Sequence, residues 1–200
     1  LLEGVDEAEF NGEIITFSIK TDSSVMANDI KKTETGSDFR LMFKGRGDIP
    51  VSLKVHGIFN IYNALAAAAV SISAGISPED IKAALEGFSG YPMRFEIRKI
   101  NGMTLINDSY NANPVSMEES LKELVRLAAG ERKIAVLGDM FELDGFSEEA
   151  HRRLGRLISE AGIDVFVAVG QMMSLAAEEC MNSRVSSFPR MVYCFKDSED

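Results

Sequence analysis

The run Ile134-Ala135-Val136-Leu137-Gly138, the amphipathic segment Glu148 to Ala161 and the run Val165-Phe166-Val167-Ala168-Val169 decide the fold. Short continuous apolar runs are the pattern of strands buried on both faces, and the segment between them carries its apolar residues at helical spacing. A strand, helix, strand unit of this kind joins parallel strands by a crossover. The alternation extends both ways, because a helix from Pro114 to Leu127 precedes the first run, and a helix from Met172 to Met181 leads from the second to a strand at Met191 to Phe195. The prediction is a mostly parallel, Rossmann-like sheet with right-handed crossovers and helices on both faces. Just upstream, Phe95 to Ile100 and Met103 to Asn107 flank Asn101-Gly102, the dipeptide best suited to a tight hairpin turn.

The front of the chain reads differently. Residues 1 to 55 alternate with period two, as in Ile15, Phe17 and Ile19, then Phe39, Leu41 and Phe43, then Val51, Leu53 and Val55, which predicts an antiparallel meander. Gly45-Arg46-Gly47-Asp48 supplies a hairpin loop between two of those runs, and its embedded Arg-Gly-Asp is read as turn chemistry. Asn60 to Ala74, with six Ala, is apolar nearly all round like a buried helix, and Gly75 can end it in the left-handed conformation. Ser77-Pro78-Glu79-Asp80 then opens a second helix with an N-cap, a proline at the first position and acidic residues at the positive dipole end. Gly87 to Pro92 is rich in Gly, Ser and Pro, so we expect an α/β chain of two parts, residues 1–91 and 92–200.

Composition excludes several functions. With 21 Lys and Arg against 31 Asp and Glu, the formal charge is −10, unsuited to a nonspecific grip on nucleic acid or anionic lipid. No apolar run is long enough to span a bilayer, so no membrane insertion is expected. Cys180 and Cys194 have no metal-binding spacing, and His56 and His151 lie far apart, which leaves a structural zinc without ligands and suits a reducing, cytoplasmic setting. The chain opens on Leu1 and closes on Asp197-Ser198-Glu199-Asp200, which reads as the start of a helix, so a piece of a longer protein is expected.

In an open parallel sheet, ligands collect beyond the carboxyl ends of the strands. Two strand exits stand out. Asn107-Asp108-Ser109-Tyr110-Asn111-Ala112-Asn113-Pro114 is either a turn tied by its Asn and Asp side chains, with Asn113 capping the next helix, or a polar loop that meets an anion or ribose hydroxyls at a helix N-terminus. Gly138-Asp139-Met140-Phe141-Glu142-Leu143 is either a solvated loop or a place where Asp139 and Glu142 hold a metal or an amine. Asn60 and Asn63, three apart on one helix face, are either caps or readers of a purine edge. His151 has no partner assigned by the sequence and reads as structural or surface. No G-x-x-x-x-G-K-[S/T] occurs, so a triphosphate cannot be cradled by a P-loop within these residues.

Together these segments resemble the Mur ligase family. Gly57-Ile58-Phe59-Asn60-Ile61-Tyr62-Asn63-Ala64-Leu65-Ala66-Ala67-Ala68 is similar to its G-x-H-N-x-x-N-A-L-A-A-A segment, and Pro92-Met93-Arg94-Phe95-Glu96 to its arginine motif. Asn107 to Pro114 is similar to D-D-S-Y-N-A-N-P and Gly138 to Leu143 to G-D-M-x-E-L, the S-Y-N-A-N-P string being the specific one. Departures are Phe59 for the usual His, Asn107 for the first Asp and Asp144 for a Gly. Phe59 makes no polar contact and is left out of the site.

The resemblance implies the back of a central ATPase domain in residues 1–91 and most of a Rossmann-like ligase domain in 92–200. It implies an ATP-dependent amide ligase that adds D-alanyl-D-alanine to UDP-N-acetylmuramoyl-tripeptide through an acyl phosphate, in peptidoglycan synthesis, acting as a monomer. By it, Asn60 and Asn63 lie on the adenine side of ATP, Arg94 near the ribose and phosphates, and Asp108 on the ribose hydroxyls; Tyr110, Asn111 and Asn113 meet the peptides. Mg2+ ligands and the P-loop would lie outside these residues, leaving the 200-residue chain inactive by itself. Two alternatives remain: another amide ligase of the superfamily, such as folylpolyglutamate synthase, or a noncatalytic nucleotide-binding module.

Overall fold

The computed structural model describes residues 14–183 and 189–197, together with residues 12 and 199. Contacts between backbones divide them into two units: one runs to Val55 and resumes over Asn60–Ser89, and the other joins His56–Phe59 to the chain from Gly90 onward. The run at Asp197 to Asp200, read from sequence as a helix start, includes residues 198 and 200, which lie outside the described residues.

The first unit is a four-stranded sheet in the order β1 (Phe17–Ser18), β2 (Val25–Lys32), β3 (Ser37–Phe43), β4 (Gly47–Leu53). β2, β3 and β4 are antiparallel, as the alternation requires, and bury Val25, Ala27, Phe39, Leu41, Phe43, Val51 and Leu53. β1 corrects the simple meander, because it is two residues long and parallel to β2. The cause is local: Thr16 N–H donates to Ser24 Oγ at 3.2 Å and Ser24 N–H to Thr16 Oγ1 at 3.1 Å, which pins the entry to β1 beside the entry to β2. Helix α1 (Ile58–Ser73) buries Ile61, Ala64, Leu65, Ala68 and Ala69, and α2 (Pro78–Gly87) begins at the Ser77 cap, whose oxygen accepts from Asp80 N–H at 3.1 Å.

In the second unit, β5 (Glu96–Ile100) and β6 (Met103–Asn107) pair antiparallel about Asn101 and Gly102, both with positive φ as a primed hairpin turn demands. They form a sheet of their own. α3 (Pro114–Leu127), α4 (Ser147–Glu160) and α5 (Gln171–Asn182) then alternate with β7 (Ile134–Gly138), β8 (Val165–Val169) and β9 (Met191–Phe195), a parallel sheet in the order β7-β8-β9. One cluster holds Met117 and Leu121 of α3, Leu154 and Ile158 of α4, and Met173, Ala176, Ala177 and Cys180 of α5 against Ala135, Phe166 and Ala168 of the sheet. Fully burying a side chain the size of Phe166 contributes about 1.5–3 kcal/mol.

Sequence reasoning expected helices on both faces. Among the described residues the helices cover one, and Ile134, Val136, Met191, Tyr193 and Phe195 stay exposed on alternate positions. Strand order explains it, since two successive crossovers of one hand that advance in one direction lay both helices on the same face. α4 and α5 meet closely at Gly155, where a Cβ would stand 2.2 Å from the Ala176 carbonyl oxygen.

Candidate functional site

The arginine segment and the loop after β6 lock into each other. Asp108 is half-buried, and both carboxylate oxygens accept hydrogen bonds: Oδ1 from Phe95 N–H at 2.9 Å, Oδ2 from the Ser120 hydroxyl on α3. Ser120 lies between Met117 and Leu121, which are packed in the core, so the hydroxyl is held where the carboxylate arrives. Two residues on, Tyr110 N–H donates to Met93 O at 3.1 Å, and the Arg94 guanidinium carbon sits 4.0 Å from the centre of the Tyr110 ring. Arg94 and Tyr110 are both exposed.

The backbone on either side of Arg94 is unusual. Met93 and Phe95 have φ of 62° and 49°, the left-handed region that costs ordinary residues about 1–2 kcal/mol each. Four bonds hold it there: the two just described, Met93 N–H to Glu96 Oε2 at 3.2 Å, and Arg94 N–H to Tyr91 O at 3.3 Å. Arg98 beside Glu96, aided by that Met93 N–H, keeps the Glu96 carboxyl below its ordinary range, so the acceptor is charged. The Phe95 side chain is buried beneath, 6.0 Å from the Phe59 ring in an edge contact and 6.4 Å from His56. Phe59, which stands where the family pattern has His, is thus a packing residue of the second unit.

The remaining loop residues use their side chains locally. Asn107 Oδ1 accepts from Ser109 N–H at 3.3 Å and its hydroxyl at 2.7 Å. Asn111 Oδ1 accepts from Ala112 N–H at 2.8 Å. Asn113 caps α3, its Oδ1 accepting from Ser116 N–H at 2.9 Å while its own N–H donates to Ser116 Oγ at 3.2 Å. Of the seven candidate residues, the structure therefore brings Arg94, Asp108 and Tyr110 into one cluster and leaves Asn111 and Asn113 as loop and cap beside it. Asn60 and Asn63 belong to the first unit, on one face of α1, with Asn63 Nδ2 donating to Asn60 Oδ1 at 3.4 Å. Neither is a cap, since α1 begins at Ile58.

Within Gly138–Leu143, Phe141 and Glu142 lie exposed in the loop, while Asp139 takes a role that neither sequence reading gave it. The Asp139 carboxylate accepts from Met173 N–H at 2.6 Å and Met172 N–H at 3.3 Å, so it caps α5 from another element. His151 is fully buried; its Nε2 accepts from Met140 N–H at 3.0 Å and its Nδ1–H donates to Ser147 O at 2.7 Å. Asp144, at the family's Gly position, has φ of 45°. A buried carboxylate missed by sequence reasoning is Glu123, 2% exposed, which accepts from Arg126 Nη2 at 2.6 Å and faces His56 Nδ1 at 3.8 Å. Its signal was an acid inside an apolar stripe with a base three residues on.

Among the described residues, no group of three or more His, Cys, Asp or Glu side chains could hold a metal ion, and no helix is long and apolar enough to cross a membrane. An open depression of about 540 Å3 lined by Gly130, Lys133, Asp164 and Arg190 lies at the amino ends of the parallel strands, away from the loops just described.

Residues 93–200 match the family model described as Mur ligase, glutamate ligase domain, and residues 4–71 match the Mur ligase middle domain. The chain belongs to the Mur ligase family. It is 37% identical over 161 residues to the UDP-N-acetylmuramoyl-tripeptide--D-alanyl-D-alanine ligase of Buchnera aphidicola, covering 80% of this chain and 34% of that one. It is 38% identical over 150 residues to the ligase of the same name from Escherichia coli K12, covering 74% and 32%. A crystal structure of MurF from Acinetobacter baumannii superposes with a TM-score of 0.74 at 30% identity, over 93% of this chain and 44% of that one. The Mur ligase chain described here thus spans about a third of the length of the curated relatives it matches.

Proposed function

We propose that these 200 residues are part of an ATP-dependent amide ligase that joins D-alanyl-D-alanine to UDP-N-acetylmuramoyl-tripeptide in cytoplasmic peptidoglycan synthesis. Residues 1–91 are the back of its central ATP-binding domain and 92–200 most of its C-terminal domain. What supports this reading above all is the Asp108 to Pro114 loop with its S-Y-N-A-N-P string, in a chain similar over most of its length to ligases of that name.

On this reading Asp108 receives the ribose. Its two oxygens each take one internal donor, and a carboxylate has about four lone-pair sites, so acceptor capacity remains for hydroxyl donors. Arg94 offers an exposed guanidinium to phosphate oxygens, with fork geometry suited to them. Asn60 and Asn63 present amides to the adenine, and Asn111 and Asn113 line the peptide side. ATP when bound supplies the phosphoryl group that activates the tripeptide carboxylate; Mg2+ belongs to other parts of the protein.

The test is a chain extended to the length of its relatives, assayed with ATP, UDP-N-acetylmuramoyl-tripeptide and D-alanyl-D-alanine. Formation of pentapeptide with one phosphate per turnover is the expected result. Turnover only with a folate and glutamate would move the protein to folylpolyglutamate synthesis, and nucleotide binding without turnover on any acceptor would make it a noncatalytic module.

A further inference from the structure

Tyr110 sits in the loop that the family resemblance gives to the peptide substrates, yet its backbone hydrogen bond and its ring both meet the arginine segment. Its N–H is bonded to the carbonyl of Met93, and its ring lies under the guanidinium of Arg94 at 4.0 Å. We infer that Tyr110 is the positioning residue of Arg94 and acts on the binding of a polyphosphate anion, not on the peptides. This rests on the reading of Arg94 as a nucleotide contact.

The geometry carries it in three steps. Arg94 is flanked by two left-handed residues, Met93 and Phe95, so the backbone is held in a conformation it would otherwise leave. The carbonyl of the first is tied to the Tyr110 amide and the amide of the second to Asp108, so the loop after β6 sets the direction in which Arg94 leaves the chain. The side chain itself is long, flexible and exposed, and a guanidinium over the face of an aromatic ring is attracted by the ring's quadrupole. Stacking restricts the guanidinium without using any of its five N–H donors, which stay available to phosphate oxygens. A hydroxyl-mediated contact with a peptide would need the phenol; the stacking needs only the ring.

That difference gives the test, in the full-length ligase with KM measured separately for ATP, D-alanyl-D-alanine and the UDP-linked tripeptide. Tyr110→Leu should raise the KM for ATP about two- to fivefold, with both peptide constants within twofold of the parent. Tyr110→Phe, which keeps the ring, should restore the parental ATP constant. In an Arg94→Ala background, itself raised tenfold or more, Tyr110→Leu should add nothing. A rise in either peptide constant in both Tyr110 variants, with ATP unmoved, would overturn the inference and return Tyr110 to the peptide side. An unchanged ATP constant in Arg94→Ala would instead remove the nucleotide reading on which it rests. Thermal melts of the same variants separate these results from a fold defect, because Tyr110→Phe should melt with the parent.

Discussion

The Asp139 carboxylate occupies the space that a side chain on Gly170 would need: a Cβ there would stand 2.3 Å from Oδ1 and 2.6 Å from Oδ2. Gly170 is the N-cap position of α5 and has φ of 116°, a conformation L side chains rarely adopt. The carboxylate replaces the missing capping side chain by accepting from Met172 and Met173. Gly170→Ala should therefore lower unfolding stability by about 2–4 kcal/mol, combining backbone strain with a displaced cap. Urea denaturation of the single variants and of Gly170→Ala with Asp139→Ala would show the coupling: the double variant should be less destabilised than the sum of the singles. Strict additivity would mean the carboxylate and the glycine do not share that space.

What was legible in the sequence is local, and what was hidden is tertiary. Helix α3 and strands β8 and β9 coincide with their sequence readings because each is bounded by its own chemistry: Asn113-Pro114 opens the helix, and the apolar runs of the strands end in polar or glycine residues. β1 was misread as part of an antiparallel meander because its pairing depends on two hydroxyls, at Thr16 and Ser24, that carry no periodic signal. Asp139 could be seen as important but not as a cap for α5, because its partners lie more than 30 residues away. The sequence reading gave Arg94 and Asp108 to the nucleotide and Tyr110 to the peptides; the stacking of Arg94 on the Tyr110 ring had no signal in it, since contact between two loops has no spacing rule.

His151, which the sequence left as structural or surface, is fully buried and should prove structural and costly to remove. His151→Ala leaves the buried Met140 N–H without its acceptor, a penalty of about 1–3 kcal/mol, and adds a cavity in a packed site. We expect a loss of about 3 kcal/mol or more in unfolding free energy, and faster hydrogen exchange at the Met140 amide than at amides of β2 or β3. An equal acceleration at all these amides, or no change at Met140, would show that the His151 nitrogen is not its acceptor.

The two thiols should separate by pH. Burial in the core beneath α5 pushes the Cys180 thiol up from 9.0 to about 11, while Cys194 on β9 is exposed. Thiolate is the reactive form, so at pH 8 an alkylating agent should label Cys194 in the native chain and Cys180 only after unfolding. Since the folded state holds the Cys180 proton more tightly than the unfolded chain, that contribution to stability is complete below pH 9 and is lost as pH rises toward 11. Native labelling of both thiols at equal rates would show that α5 opens readily.

Asp108 is the residue on which the nucleotide reading and the fold both depend, and its two anchors allow the roles to be separated. Removing the carboxylate frees the Phe95 amide and the Ser120 hydroxyl, so Asp108→Ala should lower the melting temperature whatever else it does. If, as the proposed function has it, ribose hydroxyls also donate to it, the same variant in a chain extended to the length of its relatives should weaken ATP binding by about 1.5–3 kcal/mol, tenfold or more in affinity. Ser120→Ala removes one anchor while leaving the carboxylate, and should cost about 1 kcal/mol of stability with a smaller rise in the ATP constant, because the carboxylate keeps its Phe95 bond and loses only part of its fixed orientation. The decisive comparison is the ATP constant against the melting point across the two variants. A ribose ligand makes Asp108→Ala far worse in ATP binding than its loss of stability predicts from Ser120→Ala; a residue that only ties the loop to α3 lowers the melting point in both and leaves the ATP constant where it was.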